Sequence, residues 1–338
     1  MSEEIILLGH GSGGRLSHHL LEEIILPTLA ATSLQEPNDA AVIDGIDSRR
    51  LAFTTDSYVV DPLIFPGGNI GDLAVNGTVN DLAMSGARAL LLSVGLIIEE
   101  GLPIATLKTV LTAMRTAANT AGIRIVTGDT KVVPNGKADK LFINTSGIGV
   151  FDHPLHISGD RARPGDKILL SGTMADHGIA VLAGREGLDL QGAISSDSAA
   201  LNGLVSALLA TCGAAVHVLR DPTRGGVATT LNEIALQSGV DILLDESALP
   251  IKPGVAAACD ILGLDPLYIA NEGKLLAFVS PDDAKTALQT MHTHPLGGGA
   301  AIIGEVSEAS FGQVFMETAL GGARTVDMLA GEQLPRIC

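Results

Sequence analysis

Five aspartates stand where a carboxylate can be aimed into a cleft. They are Asp39 in Asn38-Asp39-Ala40-Ala41, Asp56 in Thr54-Thr55-Asp56-Ser57, Asp81 in Val79-Asn80-Asp81-Leu82, Asp129 in Thr127-Gly128-Asp129-Thr130, and Asp221 in Arg220-Asp221-Pro222-Thr223-Arg224-Gly225-Gly226. Each follows an apolar run or sits on a glycine-flanked turn, so the carboxylates can converge. Two of them 4 Å apart repel by about 4 kcal/mol at an effective dielectric of roughly 20, so a shared cluster calls for a cation. Hard oxygen donors of this kind select Mg²⁺, which keeps substrate phosphates in its shell. A single aspartate in such a context is more often a turn or helix cap. Their recurrence is what points to a site.

The second chemical feature is Cys338, the last residue, in Gly331-Glu332-Gln333-Leu334-Pro335-Arg336-Ile337-Cys338. The segment has no apolar periodicity, and Pro335 forbids helix and favours extended backbone at Leu334. Eight residues at about 3.3 Å each reach roughly 26 Å, about the radius of a domain of this size. A thiol on such a tail can be loaded at one site, processed at a second and unloaded at a third. The plain alternative is a disordered terminus that ends on cysteine.

Gly9-His10-Gly11-Ser12-Gly13-Gly14 matches G-x-G-x-x-G between a strand-like run and a helix-like one, the form of a dinucleotide fingerprint. The match fails downstream, because Ser33–Asp39 reads as a loop where a second strand ending in an acid is required. The glycines still offer bare amides to an anion, with Arg15 adding charge. A flexible arm with turns of positive φ explains them equally well.

These residues need a scaffold, and composition bounds it. The 338 residues exceed one ordinary core and suggest two domains. With 46% hydrophobic and 17% charged residues the chain can bury large cores. A net charge of −17 argues against a nucleic-acid groove or an anionic membrane surface and suits a site that collects divalent cations. The three cysteines, Cys212, Cys259 and Cys338, lack paired spacing, which argues against a disulfide framework or a zinc site. Cys212 and Cys259 read as packing residues. The acidic start with Glu3 and Glu4 does not resemble a secretory signal, and the longest apolar run, Ala89–Ile98, is half the length of a membrane span. A cytoplasmic location is expected.

Along the chain, the first unit reads as a helix from about Ser17 to Ala30, strands at Ala40–Ile43 and Leu51–Thr55, and a helix near Ile70–Ser85 with a stripe of Ile70, Leu73, Ala74, Leu82 and Ala83. A buried strand follows at Ala89–Ile98, then a helix opened by Pro103 and closed by Gly122, and strands at Ile123–Thr127 and Leu141–Val150. Polar composition with Pro154 and Pro164 marks a boundary near Asp152–Arg163. The second unit reads as strands at Lys167–Leu170, Val240–Leu244, Leu275–Val279 and Ala301–Val306, with helices at His177–Ala183, Ser198–Thr211, Gly226–Gln237 and Pro253–Leu262. Irregular interleaving makes each half α+β rather than doubly wound.

In this order, Thr54-Thr55-Asp56, Asn80-Asp81, Thr127-Gly128-Asp129-Thr130, Arg163-Pro164-Gly165-Asp166-Lys167 and Asp221-Pro222-Thr223-Arg224-Gly225-Gly226 resemble the PurM-like ATP-binding superfamily over nearly the whole chain. Within that group, Gly9–Gly14, Asp56-Ser57-Tyr58-Val59-Val60-Asp61-Pro62 and Pro335-Arg336-Ile337-Cys338 resemble the carbamoyl dehydratases of hydrogenase maturation. The resemblance implies a two-domain α+β fold: an arm over residues 1–38, an ATP-binding domain over 39–153, a second domain over 154–330, and a mobile tail over 331–338.

By the same resemblance, a HypF-type carbamoyltransferase loads Cys338. ATP with Mg²⁺ drives dehydration of the S-carbamoyl group to S-cyanate, and a HypC–HypD complex takes the cyano group to iron. Asp39, Asp56, Asp81 and Asp221 fall on the superfamily's metal- and phosphate-holding positions. Asn80, Thr127, Gly128, Asp129, Thr130, His10, Gly11 and Gly13 fall around the nucleotide or incoming tail. Lys131 and Glu272 are the candidates for the base and for charge neutralisation beside Cys338. A homodimer through the first domain's sheet is implied too. The rival expectations are a superfamily synthetase or kinase acting on a free small molecule, and a carrier or scaffold without catalysis.

Overall fold

The computed structural model describes residues 14–19, 41–46, 49–187, 194–308 and 311–331. The first helix, α1 (Gly14–His19), precedes a five-stranded sheet. Its strands are β1 (Ala41–Ile46), β2 (Arg49–Tyr58), β5 (Arg88–Glu99), β6 (Arg124–Val133) and β7 (Leu141–Val150), in the order β1-β2-β7-β5-β6. All neighbours are antiparallel except β5 and β6, which are parallel. A short hairpin of β3 (Ile64–Phe65) and β4 (Gly68–Asn69) leads into α2 (Ile70–Met84), and α3 (Ile104–Ala121) follows β5.

Helix α2 starts at a capping box. Asn69 Oδ1 accepts from the Gly71 amide at 2.8 Å, and Asp72 Oδ2 accepts from the Asn69 amide at 2.7 Å. The expected apolar stripe is instead burial on nearly every side, Asn76, Thr78 and Asn80 included. One side of the helix packs on β2 and β7, while Ala83 and Met84 join a core shared with Leu201, Leu204 and Leu208 of the second domain. A helix between two domains has no solvent face, and its polar side chains must find partners inside. Gly77 has no alternative, since a Cβ there would lie 2.2 Å from the Tyr58 hydroxyl.

Strand β6 differs from its expected span. It continues through Thr127–Lys131 to Val133 because Val94 and Gly95 of β5 pair with Gly128 and Asp129. Asp129 and Lys131 therefore lie within an exposed edge strand, not on a turn. Helix α3 follows Pro103 and stops at Gly122 with φ of 70°, as expected.

The second sheet has seven strands: β8 (Lys167–Leu170), β9 (Val216–Arg220), β10 (Asp241–Asp245), β11 (Leu276–Val279), β12 (Ala301–Ser307), β13 (Val314–Glu317) and β14 (Ala323–Thr325). Their order is β14-β13-β10-β12-β8-β11-β9. The accompanying helices are α4 (Asp176–Glu186), α5 (Asn202–Cys212), α6 (Gly226–Ser238), α7 (Pro253–Leu262) and α8 (Ala284–Thr293). Strands β9, β13, β14 and helix α8 are additions to the sequence reading. Cys212 and Cys259 are free and buried, as packing residues should be.

Candidate active site

Alternation along β2 turns Thr54, Asp56 and Tyr58 toward α2 and Thr55 and Ser57 to the outer face of the sheet. Thr54 Oγ1 donates to Asp81 Oδ2 at 2.8 Å, tying the strand to the helix. Tyr58 is buried with its hydroxyl 3.4 Å from Thr78 Oγ1. Burial first, then the charges of Asp56, Asp81 and Glu272, push its pKa well above the ordinary value. These interactions place the two first-domain carboxylates and Glu272 around one point.

The second domain brings Asp221 from the end of β9 and Glu272 from the loop before β11. Asp221 is buried, and desolvation raises its pKa to about 6, with Asp56 adding repulsion and Arg220 and Arg224 opposing it. Glu272 is 3% exposed and shifted well above the carboxylate range, first by burial and then by Asp221, Asp197 and Asp56. A framework of hydrogen bonds fixes both loops. Asn271 donates to the Pro222 carbonyl at 3.0 Å and to the Ile269 carbonyl at 3.0 Å, and accepts from the Ala175 amide at 2.8 Å. Asp197 Oδ1 accepts from the Glu272 amide at 3.1 Å, while its Oδ2 lies 3.0 Å from Lys274 Nζ in a mostly buried ion pair.

Asn80 takes a different part from the expected one beside a nucleotide. Its Nδ2 donates to the Ala199 carbonyl at 3.0 Å and the Glu272 carbonyl at 3.3 Å, and its Oδ1 accepts from the Leu201 amide at 2.7 Å. With both amide protons used, this side chain clasps the two domains together.

Asp56, Asp81, Asp221 and Glu272 are thus brought together, whereas Asp129 and Lys131 are not. Strands β7 and β5 separate β6 from β2. On β6, Lys131 Nζ pairs with Asp129 Oδ2 at 2.8 Å, both side chains well exposed, and this pairing lowers the Asp129 pKa. Thr127, Gly128 and Thr130 share that exposed strand. His10, Gly11, Gly13, Asp39 and Cys338 lie outside the described residues.

Asn271, Asp197, Lys274 and Tyr58 were not singled out for the site by sequence. Only Asn271-Glu272-Gly273-Lys274 carried a signal, a polar run beside an apolar strand. Gly273 is tightly constrained, for a Cβ there would lie 1.8 Å from the Asp197 carbonyl oxygen.

Among the described residues no three His, Cys, Asp or Glu side chains form a ready-made metal site. Burial first, and then repulsion that includes Asp56, raises the pKa values of Asp221 and Glu272 against the opposing arginines, so carboxylate charge is concentrated in this cleft. That suits Mg²⁺, which is held by one or two carboxylates plus substrate phosphates rather than by an all-protein cage.

This fold and site define a class. Residues 37–151 match the N-terminal domain of AIR synthase related proteins, and residues 163–317 match the C-terminal domain. The fold is the PurM-like α+β one. Carbamoyl dehydratase HypE of Azotobacter vinelandii is 53% identical over 97% of this chain and 96% of that protein. A crystal structure of hydrogenase maturation protein HypE in complex with ATP superposes with a TM-score of 0.83 at 52% identity, covering 99% of this chain and 100% of that one. A HypE–HypF complex matches with a TM-score of 0.86 at 47% identity, covering 92% of this chain and 99% of that chain. The chain belongs to the HypE family of carbamoyl dehydratases.

Proposed function

We propose that the chain removes water from an S-carbamoyl group on its own Cys338, with ATP converted to ADP and phosphate. It is a carbamoyl dehydratase of hydrogenase maturation that binds ATP and works with a HypF-type partner. In the reaction, R–S–C(=O)–NH₂ becomes R–S–C≡N. The carbonyl oxygen is a poor leaving group until it is phosphorylated, after which it departs as phosphate. Two N–H protons must leave, one as the oxygen is phosphorylated and one as the C–O bond breaks, so a base is needed beside the nitrogen.

Glu272 is that base. The buried position of Glu272 at the domain junction, beside Asp56 and Asp221, is the observation that carries the reading. Burial raises its pKa, so its ionised form is a stronger proton acceptor than an ordinary carboxylate. Asn80 and Asp197 fix its backbone from both sides. Asp56, Asp81 and Asp221 would hold Mg²⁺ together with the triphosphate, and Asp39 is assigned to the same group. Bound there, the ion supplies neutralisation of phosphate charge. His10, Gly11 and Gly13 are assigned to the nucleotide or incoming tail.

Lys131 and the Thr127–Thr130 stretch are assigned to the phosphoryl side of the site in a homodimer. Supporting this, α2 and α3 cover one face of the first sheet, and the rest of the strand surface exposes Phe53, Ile97, Val126 and Val132. Transfer of the product to a HypC–HypD complex completes the cycle. No helix among the described residues is long and apolar enough to cross a membrane.

Intact-protein mass spectrometry tests the reaction. After loading by the carbamoyltransferase, ATP should remove the mass of one water from the adduct on Cys338. An adduct on another residue, or a loss that does not need ATP, overturns the proposal.

A further inference from the structure

Glu272 and Lys274 stand two residues apart in the loop before β11, across Gly273. A carboxylate and an ammonium so close would ordinarily pair, because lysine is a point charge on a flexible four-carbon stem. Here the ammonium is held elsewhere. Lys274 Nζ lies 3.0 Å from Asp197 Oδ2, in a pair whose side chains are 12% and 5% exposed, and 3.4 Å from the Gly273 carbonyl oxygen. Asp197 Oδ1 accepts from the Glu272 amide at 3.1 Å, so a single carboxylate stands between the ammonium and the backbone of the base. Among the described residues the ammonium is the only compensation that Oδ2 has.

Asp197 is fixed in that position from both domains. The Ser196 amide donates to the Pro66 carbonyl at 2.8 Å, and Asn76 Nδ2 donates to Ser198 Oγ at 3.0 Å. Ser196 Oγ accepts from the Ser198 amide at 3.1 Å and lies 2.8 Å from His177 Nδ1. The stem of Lys274 is confined as well, packed on Gly172. A hydrogen bond to the Glu272 amide does not itself need a charge. An asparagine at 197 would accept it equally, and a buried ion pair seldom stabilises a fold more than neutral side chains of similar volume do. The pair therefore calls for a role that depends on charge.

Resting on the function proposed above, with Glu272 as its base, we infer that Asp197 is a positioning residue that captures the Lys274 ammonium and so keeps it off the Glu272 carboxylate. A carboxylate paired with a lysine is a weak base, since the pair stabilises its ionised form. Asp197 prevents that pairing with one oxygen while the other holds the Glu272 amide in place. The other charged or titratable groups that act on or face Glu272 include Asp56, Asp221, the Tyr58 phenol and the Arg224 guanidinium. Arg224 is the one cation of that set, so a released lysine would shift the charge around the base. Neither Asp197 nor Lys274 moves a proton in this scheme.

The test follows single-turnover loss of water in the carbamoylated full chain across pH, at saturating ATP and Mg²⁺. Asp197→Asn keeps the hydrogen bond to Glu272 and releases Lys274. Its maximal rate should fall by about ten- to a hundredfold, a part of what a general base contributes, and the acid limb of its profile should move down by about one pH unit or more. Removing the lysine as well, in Asp197→Asn with Lys274→Met, should return both rate and limb close to their wild-type positions. Lys274→Met alone leaves Asp197 uncompensated and should move the limb up. That opposite sign decides the matter even if Asp197→Asn disturbs folding.

A lowered rate in Asp197→Asn with an unmoved acid limb overturns the inference and leaves the pair a structural role. So does a double variant as slow and as shifted as the single one, because the lysine is then not the cause. A limb that moves down in Lys274→Met overturns it too. Glu272→Gln separates these outcomes from the function itself. If the acid limb survives in Glu272→Gln, or the wild-type chain loses no water, the proposed function falls. If the limb belongs to Glu272 and Asp197→Asn leaves it in place, only the role of Asp197 falls.

Discussion

The side-chain amide of Asn80 donates to the backbone carbonyl of Glu272 at 3.3 Å, although the two residues are 192 positions apart. The same side chain holds Ala199 and Leu201, so one residue of α2 fixes two segments of the other domain. Asn80→Ala removes three hydrogen bonds and leaves buried amide and carbonyl groups without partners. A loss of about 2–4 kcal/mol in urea unfolding is expected. Turnover should fall as well, because the Glu272 loop loses its first-domain support. A variant that unfolds like the wild-type chain would show that the clasp is redundant.

Glu272→Gln keeps the shape of the side chain and removes the base. Dehydration of carbamoylated Cys338 should slow by about 10²–10⁴-fold, while ATP binding measured by calorimetry is retained. The buried, repelled carboxylate is costly to hold, so the variant should also be more stable than the wild-type chain near pH 8. Faster loss of activity together with lower stability would assign Glu272 a structural role only.

Much of this was legible in sequence, in proportion to how local the signal was. Pro103 and Gly122 mark the ends of α3 because proline and glycine act through their own backbone. Asp56, Asp81 and Asp221 could be named because each sits in a short polar break after an apolar run. The position of Asp129 could not, since the extension of β6 depends on pairing with β5, which the local sequence does not contain. Asn80 reads the same beside a nucleotide or across a domain boundary, and only the packing of α2 decides. The Asp197–Lys274 pair joins residues from different loops, with nothing in either segment to announce the other.

That ion pair yields a stability prediction. Lys274 is substantially buried and its stem lies against Gly172, where a Cβ would meet Lys274 Cε at 2.9 Å. Lys274→Met keeps most of the packing and strands the Asp197 carboxylate, at a cost of about 3–5 kcal/mol. The double variant Asp197→Asn with Lys274→Met should recover much of that loss. A double-mutant cycle in urea measures the coupling, and additive effects would show that the pair is not coupled.

Lys131 sits on an exposed edge strand, and exposed ion pairs contribute little to stability. Lys131→Ala should therefore change unfolding free energy by less than about 0.5 kcal/mol. If Lys131 neutralises the transferring phosphoryl group in a dimer, the same variant slows dehydration by about a hundredfold. A wild-type rate would confine the chemistry to the Asp56–Glu272 cluster.

The dependence of stability on pH follows from Asp221. Its folded-state pKa of about 6 exceeds the ordinary 3.8 because burial disfavours the charged form. A carboxylate raised on folding adds stability that is complete below its unfolded pKa and is lost as pH rises through the folded value. Between about pH 4 and pH 6, and on to neutrality, Asp221 should thus draw on the order of 2–3 kcal/mol from the fold in the absence of nucleotide and cation. Glu272 shifts in the same direction, again through burial first, and adds to the loss as pH rises. Asp221→Asn resembles the protonated form at every pH. Urea titrations should show it more stable than the wild-type chain at pH 8, with the gain vanishing below pH 4. Added Mg²⁺ and a non-hydrolysable ATP analogue should close the gap from the other side, by stabilising the wild-type carboxylate and not the amide. A constant difference across the pH range would mean that the substitution acts through packing, and that Asp221 is not the charge the cleft is built to compensate.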